Sequence, residues 1–232
     1  MIENQTKVTE RTWDTIAESF DVTRRKPWKQ CIDFISGLSE SDIVADLGCG
    51  NGRHLIPCAE HCQKVIGIDI SRNLLQITRN KARENGLGNI HLIHGNLVEI
   101  PLNADSLDAV LFIASLHNIK GRNNRIRSLE EVRRILKDDG RALISVWSRW
   151  QDKFRTQFLK KSMEDTEAKE FGDIYINWRQ HGLNIPRFYH LYNKGEFVKD
   201  IHEVDLKIDK LQSVRLHSNN FPDNYFAVVS KS

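Results

Sequence analysis

The chain has 232 residues, of which 40% are hydrophobic and 28% charged, values that suit one α/β domain rather than two full domains. The formal net charge of only +3 excludes a global electrostatic argument for a nucleic-acid partner, so any such surface must be a local patch. Four cysteines, a polar start and the absence of a membrane-length apolar run predict a cytoplasmic protein with free thiols.

The N-terminal segment, residues 1–40, is expected to form a helical cap. After a polar, mobile start over residues 1–10, apolar side chains at i, i+3, i+4 and i+7 predict an amphipathic helix around residues 13–20. A basic stretch follows at residues 23–28, where Pro27 imposes an extended bend. Two interpretations of this bend stay open: a contact for an anion and a base, or a solvated run of charges.

Residues 44–54 predict a short apolar strand, a tight turn with glycine at alternate positions, and the start of a helix. The glycines leave the backbone open to a ligand, and the helix N-terminus adds N–H groups that attract negative charge. A second apolar strand over residues 64–68 ends at Asp69, which is placed to accept hydrogen bonds from ribose hydroxyls.

The spacing D-x-G-x-G-x-G, which starts at Asp46, does not match the dinucleotide pattern G-x-G-x-x-G. It instead resembles motif I of the class I S-adenosylmethionine-dependent methyltransferases. By this resemblance, the glycine turn contacts the methionine part of the cofactor, Asp69 the ribose and Asn96 the adenine. The implied cofactor-binding residues are Asp46, Gly48, Gly50, Asn51, Gly52, Asp69, Ile70, Asn96, Leu97 and Ile113. The alternative is a strand-to-helix turn in another nucleotide-binding fold.

One predicted helical segment carries residue types that bind metal ions. Histidine and cysteine recur there at helical spacing, at His54, Cys58, His61 and Cys62. Paired C-x-x-C ligand spacing is missing, and Cys49 belongs to the glycine turn. We therefore predict no metal site.

Helices and strands alternate up to residue 147. The predicted helices cover residues 31–38, 52–62, 71–84 and 124–137, and the predicted strands cover residues 43–47, 64–68, 90–94, 106–113 and 142–147. Asp139 and Gly140 are expected to form the turn before the last of these strands. This alternation predicts an α/β fold with a doubly wound, Rossmann-like parallel sheet.

The pattern loosens after residue 147. Residues 149–170 are polar and charged, residues 175–186 are expected to be irregular, and residues 187–192 alternate aromatic and polar groups as a strand does. We expect residues 149–192 to be an insertion on the substrate side. A short helix over residues 194–201 and an antiparallel hairpin of strands at 204–216 and 225–230 are expected to complete the sheet edge.

With these elements placed, the sequence resembles the tRNA wobble-uridine (5-carboxymethyluridine) carboxyl methyltransferases, including the methyltransferase domain of the AlkB-like tRNA hydroxylase. The specific segments are T-R-x-K-P-W at residues 23–28 and R-F-Y-H-L-Y at residues 187–192. Further matches lie at residues 44–52, 113–117, 131–136 and 142–147. The sequence departs from the family pattern at residues 138 and 139, and at Asn118, where a second histidine is frequent. The resemblance implies a single methyltransferase domain over residues 1–232.

The implied reaction esterifies the carboxylate of 5-carboxymethyluridine. A carboxylate with a pKa near 4 is ionised at neutral pH, so cations and geometry are needed rather than a general base. The expected substrate-site residues are Arg24, Arg25 and Arg187 for the carboxylate, Trp28, Tyr189 and Tyr192 for stacking on the base, and His117 and His190 for hydrogen bonds. For His117, a role behind the pocket is the alternative.

The expected partners are a tRNA anticodon loop and, as family members generally have, a small zinc-binding activator protein. The predicted strand at residues 90–94 is a candidate edge for that activator. Two other functions remain as alternatives: a small-molecule methyltransferase acting on a quinone or organic acid, and a non-catalytic RNA-binding methyltransferase-like subunit.

Overall fold

The structure is a computed structural model and describes residues 2–164 and 170–232. The strands within these ranges are β1 (Ile43–Leu47), β2 (Lys64–Asp69), β3 (Ile90–His94), β4 (Leu107–Ile113), β5 (Leu136–Trp147), β6 (Asp173–Trp178), β7 (Ile185–His190), β8 (Leu206–Val214) and β9 (Asn224–Lys231). The helices of the same ranges are α1 (Ile2–Thr23), α2 (Lys29–Ile35), α3 (Leu55–His61), α4 (Arg72–Glu84), α5 (Arg122–Ile135), α6 (Arg155–Glu164) and α7 (Lys194–Glu203).

Seven of the strands form one sheet in the order β3-β2-β1-β4-β5-β9-β8. The pairs among β1 to β5 are parallel, whereas β9 runs antiparallel to both β5 and β8. The strand order reverses between β1 and β4, and such a reversal opens a crevice at the carboxyl ends of the strands. The predicted doubly wound sheet with an antiparallel C-terminal hairpin is confirmed.

Helices cover both faces of the sheet because successive strand residues point to opposite sides. In β1, Leu47 belongs to a buried cluster that includes Leu129 of α5. Val44, three residues earlier, belongs to the cluster on the other face, with Phe34 of α2 and Leu55 of α3. No helix in the described ranges combines the length and apolar character needed to cross a membrane.

Local sequence signals place most elements within a few residues. The helix predicted from residue 71 begins there, because the Ser71 side chain accepts a hydrogen bond from Leu74 N at the start of α4. Three expectations about the elements are wrong. The start of the chain is helical from Ile2 onwards rather than a mobile segment.

Asp139 and Gly140 lie inside β5 rather than in a turn before it. The pairing of β5 with β4 shifts register there, so the two residues form an irregularity within the strand. Glycine avoids a tight contact at this point, since a Cβ on Gly140 would lie 3.0 Å from two backbone oxygens, those of Leu107 and Lys137.

The segment expected to be irregular, residues 175–186, instead contributes to a separate two-stranded antiparallel sheet of β6 and β7, which we call the ribbon. Alternate residues of β6 are buried, including Trp178. Trp178 Nε1 donates a 2.8 Å hydrogen bond to Ser19 Oγ of α1, and this hydroxyl also bonds His181 Nδ1 at 2.8 Å. Helix α1 therefore holds the ribbon in place.

Candidate active site

A cavity of about 1070 Å³ opens at the carboxyl ends of β1, β2 and β4, where the strand order reverses. Its walls come from the turn after β1, the loop after β4, helix α1 and the ribbon. Sites for small molecules in proteins usually measure about 300–1,000 Å³, so this cavity has room for a cofactor together with part of a second ligand.

The glycine turn shapes the floor of the cavity. Gly48, Gly50 and Gly52 have φ angles of 73°, 55° and 78°, in the left-handed region that favours glycine. A Cβ on Gly48 would lie 2.2 Å from Ser115 Oγ, and one on Gly52 would lie 2.8 Å from Thr78 Cγ2. These two glycines are therefore required by packing within the protein. Gly50 lines the cavity and is the glycine whose missing side chain leaves space there, since a Cβ would meet only Phe20 at 3.6 Å.

Two buried carboxyl groups lie behind this turn. Asp69 Oδ2 accepts a hydrogen bond from Gly50 N and Oδ1 accepts one from Ser71 N, each at 2.8 Å. Asp46 Oδ2 is buried and has no hydrogen-bond partner in the described part of the chain. Burial raises the pKa of Asp46 to about 7, with the charge of Asp69 acting in the same direction. Burial also raises the pKa of Asp69 to about 6, although backbone N–H groups oppose the rise.

Asn51 connects the glycine turn to the basic bend. Its Nδ2 donates to Asp21 Oδ1 at 2.7 Å and to the carbonyl oxygen of Arg24 at 2.9 Å. Lys81 of α4 pairs with the same Asp21 and donates to the carbonyl oxygen of Asn51. The end of α1 is thereby fixed against the turn.

The loop after β3 forms another part of the wall. Asn96 and Leu97 line the cavity, as do Ile70 and Ile113 from the ends of β2 and β4. Asn96 Oδ1 accepts a hydrogen bond from Val98 N at 3.2 Å, which orients the amide in the loop. The structure thus brings most of the expected cofactor-binding residues to one cavity, while Asp46 and Gly52 lie behind its wall.

Arg24 and Arg187 come together although they are far apart in the sequence. Both guanidinium groups lie over the Trp178 ring, at 5.5 Å for Arg24 and 4.7 Å for Arg187, and both side chains line the cavity. Burial lowers the pKa of Arg24, and the charge of Arg187 acts in the same direction. Arg187 is buried with 7% exposure, its Nε has no hydrogen-bond partner, and no carboxylate of the described residues pairs with it. A buried cation without a counter-ion favours binding of an anionic ligand.

His117 lies near Arg187 in a stack of rings. Its Nδ1 accepts a 3.0 Å hydrogen bond from Trp147 N, so a neutral His117 carries its proton on Nε2. Tyr189 stacks on Trp147 at 4.8 Å, and both His117 and Tyr189 line the cavity. Burial, together with His190 and Arg187, lowers the pKa of His117 to about 3. This histidine is therefore a hydrogen-bond donor at neutral pH and not a cation.

Three residues expected at the substrate site lie elsewhere. Arg25 is exposed on the bend and does not line the cavity. His190 is fully buried, and its two ring nitrogens bond Asp173 and Glu196 at 2.7 Å each. Tyr192 is also fully buried and lies edge-on to His190. Strand alternation gives the reason for His190, which has the opposite parity in β7 to Arg187 and Tyr189. Tyr192 follows the strand, and its hydroxyl donates to Asp200 Oδ2 at 3.4 Å.

The motifs did not point to Trp178 or Trp13, although both line the cavity and both rings lie against the Arg187 guanidinium. The alternation of apolar residues in 174–178 was the available signal for Trp178. Trp28, in contrast, was expected and does line the cavity, with the Arg53 guanidinium 4.5 Å from its ring centre. Aromatic rings therefore surround the cationic part of the cavity.

Comparisons with known proteins fit this geometry. A family model described as a methyltransferase domain matches residues 44–140. A tRNA (carboxymethyluridine(34)-5-O)-methyltransferase of Xenopus tropicalis is 35% identical over 154 residues, which are 66% of this chain and 23% of that protein. The chain thus spans less than a quarter of that relative's length. A methyltransferase candidate of Encephalitozoon cuniculi is 32% identical over 223 residues, covering 95% of this chain and 94% of the relative.

Solved structures share the fold at lower identity. A SAM-dependent methyltransferase from Methanosarcina mazei superposes with a TM-score of 0.74 at 20% identity, covering 89% of this chain and 98% of its own. One chain of a complex between the Haloferax volcanii Trm112 methyltransferase activator and a methyltransferase candidate gives a TM-score of 0.70 at 17% identity. That match covers 96% of each chain. These similarities show the class I methyltransferase architecture.

Proposed function

Because the chain belongs to the methyltransferase family that includes the tRNA (carboxymethyluridine(34)-5-O)-methyltransferases, we propose that it esterifies the carboxylate of 5-carboxymethyluridine in a tRNA. S-adenosylmethionine supplies the electrophilic sulfonium methyl group for this reaction. The products are a methyl ester on the nucleobase and S-adenosylhomocysteine. The residues of this chain must hold the methyl donor and present a carboxylate oxygen to it.

The cavity contains groups that fit the methyl donor. Asp69 lines the cavity, and its carboxylate, which backbone N–H groups hold in place, is a suitable acceptor for the ribose hydroxyls. The unsatisfied Asp46 Oδ2 lies behind the turn where the family places the methionine part, and that part carries an ammonium group. Gly50 leaves space in the cavity wall, and Asn96 and Leu97 form the wall assigned to adenine. We infer that Gly50, Asp69, Asn96 and Leu97 contact the cofactor and that Asp46 acts on its ammonium group through charge from behind the turn.

The observation that carries the proposed substrate is the Arg24–Arg187 pair. Arg187 is buried without a carboxylate partner in the described chain, and Arg24 lies over the same Trp178 ring. Two guanidinium groups can bind a carboxylate with directional hydrogen bonds and fix which oxygen faces the methyl donor. The aromatic rings around them can stack on an unpaired base, as is common in recognition of RNA loops.

The reaction needs no general base, and His117 is consistent with that requirement. The substrate carboxylate is ionised at neutral pH, so no proton has to leave before methyl transfer. With a pKa of about 3, His117 stays neutral and offers its Nε2–H as a donor to the base or to the acid. Tyr189 lies beside it, 5.5 Å between ring centres, and can pack on the nucleobase.

Charge around the cavity favours a polyanionic substrate over a small neutral metabolite such as a quinone. Among the described residues that line the cavity, six carry a cationic side chain and two an acidic one: Arg24, Arg53, Lys120, Lys153, Arg179 and Arg187 against Asp69 and Asp223. Both acids already accept backbone hydrogen bonds. The net charge of the chain is only +3, so this positive potential is local.

The test uses the full chain, isotope-labelled S-adenosylmethionine and an anticodon stem-loop containing 5-carboxymethyluridine. We expect label to appear in an ester that mild alkali releases, and none on a stem-loop with unmodified uridine or with the carbamoylmethyl analogue. Arg187→Ala and Arg24→Ala should each reduce kcat by about 100-fold or more while cofactor affinity stays within about twofold. Near-normal turnover in both variants would contradict the proposal.

Arg25→Ala is the matched control for Arg24→Ala. The two arginines are adjacent in the bend, but Arg25 is exposed and outside the cavity lining. Its removal should leave kcat unchanged. A loss of turnover in Arg25→Ala equal to that in Arg24→Ala would show that the bend acts through general charge and not through a carboxylate contact.

We further propose that an activator protein pairs with β3. This strand lies at the edge of the large sheet and, in the part of the chain that the structure describes, pairs only with β2. The Haloferax volcanii complex supports this proposal, because a chain of similar fold there belongs to an assembly with a methyltransferase activator. Co-expression with such an activator should raise activity and slow amide hydrogen exchange in Ile90–His94. Unchanged exchange in β3 within an active complex would place the activator elsewhere.

A further inference from the structure

The outer face of the ribbon carries two neighbouring aromatic rings, one exposed and one half-buried, with a cation near both. Tyr175 of β6 and Phe188 of β7 are direct partners in the strand register, and their ring centres are 5.7 Å apart. Lys120 Nζ lies 5.8 Å from the centre of each ring and 3.2 Å from the Tyr175 hydroxyl oxygen. We call these three residues the rim platform. Tyr175 is 43% exposed, which is a large exposure for an aromatic residue in a strand.

The rim platform continues the cavity to the outside of the protein. Tyr175 and Lys120 line the cavity mouth, whereas Trp178 and Arg187 of the same ribbon are buried within. Within β6, register explains why Tyr175 is exposed and Trp178 is buried, because residues at alternate positions of a strand point to opposite faces. A polymeric ligand that places one of its units in the cavity would therefore place the neighbouring unit at the rim platform.

We propose that the rim platform binds a nucleotide of single-stranded RNA directly beside the one whose base enters the cavity. This inference rests on the proposed function and adds a second contact, outside the reacting carboxylate. A base stacks on the exposed Tyr175 ring, and Lys120 faces the phosphate that links the two nucleotides.

The chemistry of these residues fits such a nucleotide better than a protein side chain. Stacking of bases on aromatic rings is tolerant of sequence because every base has a π-face, and a lysine adds a contact to the backbone phosphate. Cationic side chains continue around the mouth at Arg179 and Lys153, both exposed. The cavity lining thus carries cations besides Lys120 that a phosphodiester chain can contact.

The experiment compares variants of the full chain on two substrates: the anticodon stem-loop containing 5-carboxymethyluridine, and the 5-carboxymethyluridine nucleoside alone. Tyr175→Ala should weaken stem-loop binding, measured by fluorescence anisotropy, by about tenfold, and raise KM for the stem-loop to the same extent. Tyr175→Phe should stay within about twofold because it keeps the ring. Turnover of the nucleoside should be the same in all three proteins, since it has no neighbour to stack.

Lys120→Gln should reduce the slope of log affinity against log salt by about 0.7, the value for one lost phosphate contact to a single strand. Lys207→Gln is the control, because Lys207 is an exposed lysine on β8, away from the cavity lining. Phe171→Ala is the control for Tyr175→Ala, since Phe171 is 61% exposed and does not line the cavity. Both controls should match the wild type.

Two further stem-loops identify the nucleotide that the rim platform binds. Stem-loops with an abasic site directly 5′ or directly 3′ of the carboxymethyluridine are compared in wild type and in Tyr175→Ala. One of the two abasic sites should remove the effect of the substitution, because the ring then has no base to contact.

The outcomes separate this inference from the proposed function. If the wild type binds the stem-loop through Tyr175 but forms no ester, the platform stands and the esterification fails. If esters form and Tyr175→Ala binds and turns over the stem-loop like the wild type, the platform is overturned and the proposed function stands. An equal loss on the nucleoside and the stem-loop would also overturn the platform, since Tyr175 would then contact the reacting nucleotide itself.

Discussion

Asp46 and Asp69 show how a binding site can reduce the stability of the protein that carries it. Both carboxyl groups are buried, and burial is the main cause that raises their pKa values, to about 7 and about 6. A carboxyl group with a raised pKa in the folded state makes unfolding easier once the pH is high enough to ionise it. Asp46 has the larger effect because one of its oxygens has no partner in the described chain.

Asp46→Asn should therefore stabilise the ligand-free protein at alkaline pH. The unfolded chain loses the proton near pH 3.8 and the folded chain only near pH 7, so the folded state holds more protons between these values and stability falls as the pH rises. The gain from the substitution should be absent near pH 4 and reach at most about 4 kcal/mol above pH 7. Denaturant unfolding across this pH range measures it.

Asp108 is a control for the direction of this stability change, because its pKa is lowered and not raised. Burial acts to raise the pKa of this group, but hydrogen bonds from Lys137 and Ile43 N outweigh it and the pKa is lowered. Asp108→Asn should therefore cost stability at neutral pH, and the cost should disappear as the pH falls.

Although Asp46→Asn should stabilise the ligand-free protein, it should weaken S-adenosylmethionine binding about tenfold. A stability gain in Asp46→Asn that does not depend on pH would contradict the electrostatic explanation.

Local sequence rules predicted several residues that line the cavity but misplaced others. The glycine turn and Asp69 follow from spacing alone, and Arg24 and Arg187 were named from motifs more than 160 residues apart in the chain. His190 was also named, but strand parity places it away from the cavity, where Asp173 and Glu196 take both ring nitrogens. Burial lowers the pKa of His190, yet these two carboxylates outweigh it and the net direction is upward. Such a buried ion-pair network depends on contacts that no local pattern specifies.

At the scale of elements, the large sheet was predictable and the ribbon was not. Parallel strands buried on both faces give continuous apolar runs, which mark β1, β2 and β4 in the sequence. The ribbon has two strands of six residues each, and a two-stranded sheet is marginal without other packing. Part of its support comes from the buried Phe154 and Phe158, which pack in one cluster with the ribbon. Another part comes from Ser19 of α1, more than 150 residues earlier in the chain.

Ser19→Ala should loosen the ribbon over the cavity. The substitution removes the acceptor of Trp178 Nε1 and the partner of His181, and a buried donor without a partner costs about 1–3 kcal/mol. We expect this loss in denaturant unfolding, faster hydrogen exchange in β6 and β7, and a KM for the stem-loop raised several-fold. Cofactor affinity should change little, because Ser19 does not line the cavity.

Thr12→Ala is the matched control for Ser19→Ala. Thr12 lies on the same helix, and its hydroxyl donates only to Val8 O at an exposed position. Its loss should leave both the free energy of unfolding and the exchange of the ribbon unchanged. If the two variants behave alike, the ribbon does not depend on the Ser19 hydrogen bonds.

At the scale of the whole molecule, α1 contacts the part of the chain that surrounds the cofactor and the part that surrounds the substrate. Its C-terminal end bonds the glycine turn through Asp21 and Asn51, while Ser19 holds the ribbon. The alternation of strands and helices predicted the sheet order but not this arrangement. The position of an N-terminal cap is set by a few long-range polar contacts, and a single sequence does not show which residues pair across such distances.

The contacts of Asn51 predict that binding of the methyl donor and of RNA are coupled. Asn51 lies in the turn assigned to the cofactor and donates to the carbonyl oxygen of Arg24, which is assigned to the substrate. In the wild type, the stem-loop should tighten S-adenosylmethionine binding about fivefold or more, and the cofactor should tighten stem-loop binding by the same factor. Calorimetric titrations with each ligand, in the absence and presence of the other, measure both factors.

Asn51→Ala should bring this coupling factor close to one, even where each ligand still binds, because it removes the hydrogen bonds that connect the turn to Asp21 and Arg24. Asn73→Ala is the matched control. Asn73 also donates to a backbone oxygen of α1, that of Asp14, but at an exposed position away from the bend. It should retain the wild-type factor. Full coupling in Asn51→Ala, or a wild type whose two ligands bind independently, would show that the cofactor turn and the basic bend act as separate sites.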